Sequence, residues 1–176
     1  MTLQIEPAAR SETADVFTVL DEAATFLHAI GVSEQWPVSF SADPGWVGLV
    51  SQLVAKEQVF LARLDGLSVG AFYLGDGAEL AAQDHHVWDG VPGDALYIGL
   101  LAVRRSVAGA GVAAAMLQWA CSRAVASGRV LRLDCWAGNA RLKQYYAEAG
   151  FEPRGEVEVH SFDGRIYSVS RFERRD

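Results

Sequence analysis

Residues 96–117 read LYIGLLAVRRSVAGAGVAAAML, and this stretch decides the fold. The eight residues from Leu96 to Val103 are apolar and uncharged, which predicts a strand that is covered on both faces. The alanine-rich run from Val112 predicts a helix, and Gly109 and Gly111 stand just ahead of it. The first turn of a helix has unpaired N–H donors and a partial positive charge. The stretch therefore predicts a strand, a glycine turn and a helix that bind an anion, most simply a pyrophosphate.

Two nucleotide-binding motifs compete for this turn. A P-loop needs a Lys followed by Ser or Thr after its second glycine, and Val112-Ala113 supplies neither. A dinucleotide fingerprint fits better, since Gly109 to Ala114 matches G-x-G-x-x-A and Asp134 lies about 20 residues on. A nicotinamide-dependent oxidoreductase is thus one alternative. Against it, five residues separate the strand from Gly109, and only 65 residues follow Gly111, too few for the rest of a doubly wound domain.

A second motif follows the next predicted strand, Val130 to Trp136. Asn139 begins a short predicted helix that Gly150 ends, and the spacing to Tyr146 and Gly150-Phe151 is N-x6-Y-x3-G-F. Seven residues are two helical turns, so Asn139 and Tyr146 share a face. Taken alone, this is equally a capped amphipathic helix with a core tyrosine.

Together the two motifs resemble the GNAT N-acetyltransferases. The loop pattern of that family is Arg or Gln, two residues, Gly, any residue, then Gly or Ala, and residues 108–113 match it except at the first position. There Ala108 replaces a long polar side chain, which removes one side-chain contact but keeps the backbone amides. The resemblance covers about residues 60–172, and residues 1–58 fit only by the order of their elements.

The resemblance implies an α/β fold, a mixed, mostly antiparallel central sheet flanked by helices, with residues 1–176 as a single domain. It implies acetyl-CoA as co-substrate in acyl transfer to an amine. Tyr146 would be the catalytic acid, its phenol near its normal pKa, beside the thioester sulfur. A non-catalytic acyl-CoA-binding module stays open as an alternative. The implied cofactor-binding residues are Leu101, Ala102, Val103, Ala108, Gly109, Ala110, Gly111, Val112, Ala113, Ala114, Asn139 and Tyr146.

The general base must come from elsewhere, because Tyr97 to Leu101 contains no acidic residue. The irregular stretch 75–95 is long for a plain connection, which favours a binding loop. It supplies Asp84, His85 and His86, and a histidine pKa near 6.5 suits a base that works near neutrality. We expect a histidine or a water relay as base, although both histidines are equally compatible with surface positions. Adjacent histidines point apart, so no metal site is expected.

Composition and charge limit the classes of molecule that the protein is expected to bind. Residues 1–100 carry 3 basic and 14 acidic side chains, and residues 101–176 carry 12 and 8, within a net charge of −7. The acidic half, with Glu34, favours a small cationic amine as acceptor, and so acidic a protein is a poor partner for nucleic acid. We expect neither a membrane span nor a secretion signal. Cys121 and Cys135 form no disulfide framework; a cytoplasmic protein is expected, and a homodimer is compatible with the sequence.

The flanking elements follow from local signals. A helix is predicted from Ser11, capped by Ser11 or Thr13, and a second from Asp43-Pro44. Hairpins are predicted around Asp65-Gly66 and around Asp163-Gly164. The second hairpin is expected to span Glu156–Phe162 and Arg165–Phe172, with Arg171 to Asp176 frayed.

Overall fold

The computed structural model describes residues 2–32, 34–78, 87–160 and 164–176. Within these ranges it contains seven strands and four helices, with single 3-10 turns at Arg10–Glu12 and Arg105–Val107. The elements, in chain order, are β1 (Leu3–Pro7), α1 (Thr13–Ala29), α2 (Pro44–Ala55), β2 (Val59–Leu64), β3 (Leu67–Gly75), β4 (Ala95–Val103), α3 (Val112–Ala126), β5 (Val130–Trp136), α4 (Ala140–Glu148), β6 (Glu152–His160) and β7 (Ile166–Arg174).

The seven strands form a mixed sheet in the order β1-β2-β3-β4-β5-β7-β6. Strands β4 and β5 are parallel, and the pairs β1–β2, β2–β3, β5–β7 and β6–β7 are antiparallel. The predicted fold class, a mixed and mostly antiparallel sheet flanked by helices, is confirmed.

The chain divides into two compact units. The first comprises Met1–Leu74 and Gly99–Gln118. Its core is apolar and includes side chains from both long N-terminal helices and from β2 and β3. A Cβ atom on Gly70 would lie 2.7 Å from Sδ of Met116, so a glycine on β3 lets α3 approach closely. The largest fully buried apolar side chains of this unit are Val16, Leu20, Phe40, Leu53, Leu61, Phe72, Tyr73, Met116 and Leu117.

The second unit comprises Gly75–Ile98 and Trp119–Asp176. Strand β7 lies at its centre and pairs with β5 on one side and β6 on the other. The expectation that Arg171 to Asp176 are frayed was wrong for Arg171 to Arg174, because β7 continues to Arg174 and Glu173 is only 1% exposed. The register places Arg132 of β5 opposite Glu173, and an ion pair between them fixes the end of the chain.

The predicted helix caps had mixed outcomes. Asp43 caps α2 as predicted, accepting hydrogen bonds from the backbone N–H groups of Gly45 and Trp46. The predicted cap of α1 was wrong. A 3-10 turn precedes that helix, and the Thr13 hydroxyl donates to the carbonyl of Arg10 instead of accepting.

The hairpin turn between β2 and β3 is confirmed. Asp65 and Gly66 both have positive φ, 51° and 82°, which is the backbone of a type I′ turn. In the second hairpin β6 and β7 pair from Glu152, opposite Glu173, to His160, opposite Ile166. Strand β6 thus begins earlier than predicted, with a register shift between Pro153 and Glu156. Asp163 lies outside the described residues.

Candidate active site

Strand β4 changes direction at Leu100. This residue has φ +52°, a left-handed conformation that costs a branched side chain free energy and that strands normally avoid. The parallel register with β5 joins Ala95–Tyr97 to Val130–Arg132, ahead of this bend. Leu101 to Val103, three of the predicted cofactor-binding residues, come directly after it. Nothing in the sequence indicates the bend, since leucine is not a residue that favours positive φ.

The burial of β4 is less complete than the apolar sequence suggests. Ala95, Ile98 and Ala102 are buried, whereas the other residues of the strand are half-buried. No residue of β4 is exposed, so both faces are covered in part. The strand ends where the backbone N–H of Arg104 donates to the carbonyl of Val69 on β3 at 2.8 Å.

The glycine turn has the backbone that the sequence predicts. Gly109 and Gly111 have φ +81° and +80°, and a Cβ atom at either position would have no atom within 4 Å. Glycine is therefore required here by the backbone conformation and not by lack of space. The N–H of Ala115 donates to the carbonyl of Gly111 at 3.0 Å, which is the first hydrogen bond of α3.

The first backbone donors of α3 have no acceptor inside the helix. Because its helical ladder begins with the bond from Ala115 to Gly111, the N–H groups of Val112, Ala113 and Ala114 have no acceptor within the helix. Ala108 to Gly111 are exposed, so the turn is accessible. Val112 itself is buried, but the N-terminal end of a 15-residue helix that follows an exposed turn is a site at which phosphate groups bind well.

An ion pair with α1 holds the beginning of this connection. The Glu22 carboxylate accepts from Nε of Arg104 at 3.0 Å and from the backbone N–H of Arg105 at 2.7 Å. The Arg105 guanidinium lies 3.7 Å from the centre of the Phe26 ring. Sequence reasoning missed Glu22, because more than 80 residues separate it from the two arginines.

In the second unit, Asn139 caps α4 as predicted. Its Oδ1 accepts a hydrogen bond from the N–H of Leu142 at 3.0 Å, and the side chain is largely buried. Tyr146, on the same helix, is 5% exposed. Its ring centre lies 5.7 Å from that of Phe172 and 5.9 Å from that of Phe151.

The pKa of Tyr146 corrects one expectation. Burial raises this pKa far above its ordinary value, and the nearby Cys135, Tyr145 and Asp134 raise it further. The prediction of a phenol near its normal pKa was therefore wrong. Burial likewise raises the pKa of the Cys135 thiol, to about 12. Both groups stay protonated and neutral at physiological pH, so Tyr146 can act as a neutral proton donor.

The remaining predicted residues lie elsewhere. Asp84, His85 and His86 are outside the described residues. Glu34 is exposed. In the described part of the chain, no group of three or more His, Cys, Asp and Glu side chains is arranged to hold a metal ion. No described helix has both the length and the apolar character that crossing a membrane requires.

Comparison with known proteins identifies a family and several similar structures. The chain matches the model of the acetyltransferase (GNAT) family over residues 31–151, a range that contains the glycine turn, Asn139 and Tyr146. A search of curated proteins finds none that matches. Among solved structures, a GNAT-family acetyltransferase from Listeria monocytogenes is similar with a TM-score of 0.70 and 19% identity, covering 97% of this chain and 94% of that one.

Two further structures are similar at the level of the fold. A Salmonella typhimurium protein solved with its cofactor acetyl-CoA has a TM-score of 0.68 and 16% identity, covering 100% of this chain and 95% of that one. A ribosomal-protein-alanine N-acetyltransferase from Brucella melitensis has a TM-score of 0.68 and 17% identity, covering 97% of this chain and 98% of that one.

Proposed function

Since the chain belongs to the acetyltransferase (GNAT) family, we propose that it transfers the acetyl group of acetyl-CoA to a primary amine of a small, cationic acceptor. Acetyl-CoA is the co-substrate of this family. The observation that carries the proposal is the glycine turn, where two exposed residues with positive φ lead into the N-terminal end of α3. The family match favours acetyl transfer over the nicotinamide-dependent oxidoreductase that the sequence also allowed.

We assign the pyrophosphate to the amides from Gly109 to Ala114. The residues present fit this group, because the turn is exposed and open space surrounds both glycines. The positive end of the α3 dipole faces the same place. Ala108 supplies no side-chain contact, so the backbone carries the interaction. Leu101 to Val103 are assigned to the pantetheine arm, through the peptide groups that follow the bend at Leu100.

We assign Asn139 and Tyr146 to the remainder of the cofactor. Oδ1 of Asn139 accepts the capping hydrogen bond, so its amide NH₂ is the group left to donate. When bound, acetyl-CoA supplies an activated thioester acyl group. The raised pKa of Tyr146 keeps its hydroxyl protonated, so the phenol holds a proton that can pass to the departing sulfur.

The identity of the general base and of the acceptor is proposed from the distribution of ionisable residues in the sequence. Tyr97 to Leu101 offers no carboxylate, so a histidine of the preceding loop, His85 or His86, or a water relay takes the proton of the amine. The acidic N-terminal half of the sequence, including the exposed Glu34, attracts a cationic acceptor. A cytoplasmic location, a single functional domain and a homodimer are part of the same proposal.

One experiment separates this function from its rivals. Purified protein is incubated with acetyl-CoA and a broad panel of amines, and the release of free thiol is followed. The proposal predicts thiol release with at least one small cationic amine and no binding of NADPH in calorimetry. If acetyl-CoA binds but no amine releases thiol, the chain is a non-catalytic acyl-CoA-binding module. The missing side chain at Ala108 and the missing acid on β4 favour that second candidate. Binding of the nicotinamide alone would contradict both.

A further inference from the structure

The second unit contains a buried arginine whose contacts go beyond its ion pair. Arg132 on β5 is 1% exposed, and its Nε donates to Oε2 of Glu173 at 2.9 Å. A buried charge pair is a poor source of net stability, because desolvation offsets most of the attraction. Its presence therefore requires an explanation beyond stability.

The other donors of Arg132 bind the backbone that precedes β4. Nη2 donates to the carbonyl of Pro92 at 2.5 Å, and Nη1 lies 3.4 Å from the carbonyl of Val91 and 3.2 Å from the Tyr97 hydroxyl. Hydrogen bonds with a charged donor are stronger than neutral ones. Their acceptors are mostly peptide carbonyls, so they fix the position of the chain whatever side chains it carries.

A second arginine acts on the same segment. Nη1 of Arg171, on β7, donates to the carbonyl of Val87 at 3.2 Å. The guanidinium groups of Arg132 and Arg171 lie 4.9 and 5.7 Å from the centre of the Trp88 ring. We call Arg132 and Arg171 the arginine clamp, and residues 87–92 the clamped segment.

The clamped segment is held in place at a cost. Nε1 of Trp88 and Nε of Arg171 are buried, and among the described residues neither has a hydrogen-bond partner. A buried N–H without a partner is unfavourable, and both groups would regain water if the segment moved outward. The contacts that oppose this loss are the hydrogen bonds to the three carbonyls and the packing of Trp88 against the guanidinium groups.

We propose that Arg132 and Arg171 are positioning residues for acceptor recognition. The clamped segment is the described end of the long irregular connection for which the sequence predicts a binding loop, and it leads into β4 at Ala95. The kinetic part of this inference rests on the proposed acetyl transfer. The positional part does not, because it concerns the chain in the absence of substrates.

The test uses Arg132→Lys. Lysine keeps a positive charge beside Glu173 but is a point charge without the planar fork that reaches several acceptors. Hydrogen exchange of the free protein is measured over peptides that cover residues 87–95, which include the amide of Val91, bonded to the carbonyl of Trp88. We expect exchange about tenfold faster, which corresponds to about 1.4 kcal/mol. In assays with an accepted amine we expect its KM to rise about as much, while the KM of acetyl-CoA changes less than about twofold.

The matched control is Arg175→Lys. Arg175 also pairs with the Glu173 carboxylate, at 2.9 Å, but its side chain is mostly exposed. The control should leave exchange over residues 87–95 and both KM values unchanged. If Arg132→Lys fails to fold, Arg171→Lys takes its place and should accelerate the same exchange.

The outcomes are distinguishable. Unchanged exchange in a folded clamp variant would overturn the clamp itself. Faster exchange with an unchanged acceptor KM would overturn its role in recognition. If the wild-type protein acetylates no amine, the proposed function fails, and the exchange measurement alone still decides whether the clamp fixes the segment.

Discussion

Glu22 on α1 and Arg104 at the end of β4 form a salt bridge, with 3.0 Å between Oε2 and Nε. The other carboxylate oxygen accepts the backbone N–H of Arg105 at 2.7 Å. One acidic side chain therefore fixes the chain where it leaves the central strand and enters the glycine turn. Because Glu22 and the turn belong to the same compact unit, we infer that this bond preorganises the turn for the cofactor.

Replacing Glu22 with alanine tests that inference. The variant loses both hydrogen bonds, so the turn must be ordered when the cofactor binds, and the Kd of acetyl-CoA should rise about tenfold. The measurement is calorimetric titration. Removing an acidic residue also favours an anionic ligand, so Asp15→Ala, an exposed change of the same charge on the same helix, is the control. Equal affinities in the two variants would contradict the account.

The Tyr146 prediction concerns the leaving group. Tyr146→Phe keeps the ring that packs on Phe151 and Phe172 and removes only the hydroxyl. We expect kcat to fall about 100-fold with little change in the affinity for acetyl-CoA. Since burial raises the pKa of the phenol, it stays protonated, and the ratio of the two rates should be constant from about pH 6 to 10. A fully active phenylalanine variant would make Tyr146 a packing residue only.

A third prediction links pH to stability through Glu12. The backbone N–H of Ala9 and the guanidinium of Arg63 donate to its carboxylate and lower its pKa below the ordinary value. The unfolded chain therefore binds the proton more tightly, and the stabilisation is present above about pH 4.3 and lost as the pH falls through the folded-state pKa. Urea unfolding of wild type and Glu12→Gln should differ at pH 7, and the difference should shrink towards pH 3. A difference that is independent of pH would show that the carboxylate charge contributes nothing.

Features set by neighbours in sequence were predictable. The caps at Asp43 and Asn139 and the turn at Asp65-Gly66 each depend on one short segment whose residue types have specific backbone or hydrogen-bond preferences. The glycine turn is of the same kind. The resemblance to the family depends on two such segments, the glycine turn and the motif that begins at Asn139, which lie about 30 residues apart.

Features that depend on contacts between residues far apart in the sequence could not be predicted from the sequence. Alternation along β5 assigns Arg132 to a polar face, yet its partner Glu173 lies 41 residues on and both are buried. Alternation assumes that polar side chains face water, which fails where both sides of a strand are covered. The pKa of Tyr146 depends on burial by Phe151 and Phe172, which the pattern of α4 alone does not specify.

The most direct test of the central claim, that the amides of residues 109–114 bind acetyl-CoA, is a titration of acetyl-CoA into wild type, Gly111→Val and Gly128→Val. Gly128 is the matched control, because it also has positive φ, 71°, and open space within 4 Å of where a Cβ atom would lie, but it follows the opposite end of α3. Both variants carry the same backbone strain. We predict that Gly111→Val raises the Kd at least about tenfold and that Gly128→Val leaves it near the wild-type value. Unchanged affinity in a folded Gly111→Val protein, or an equal loss in both, would contradict the account.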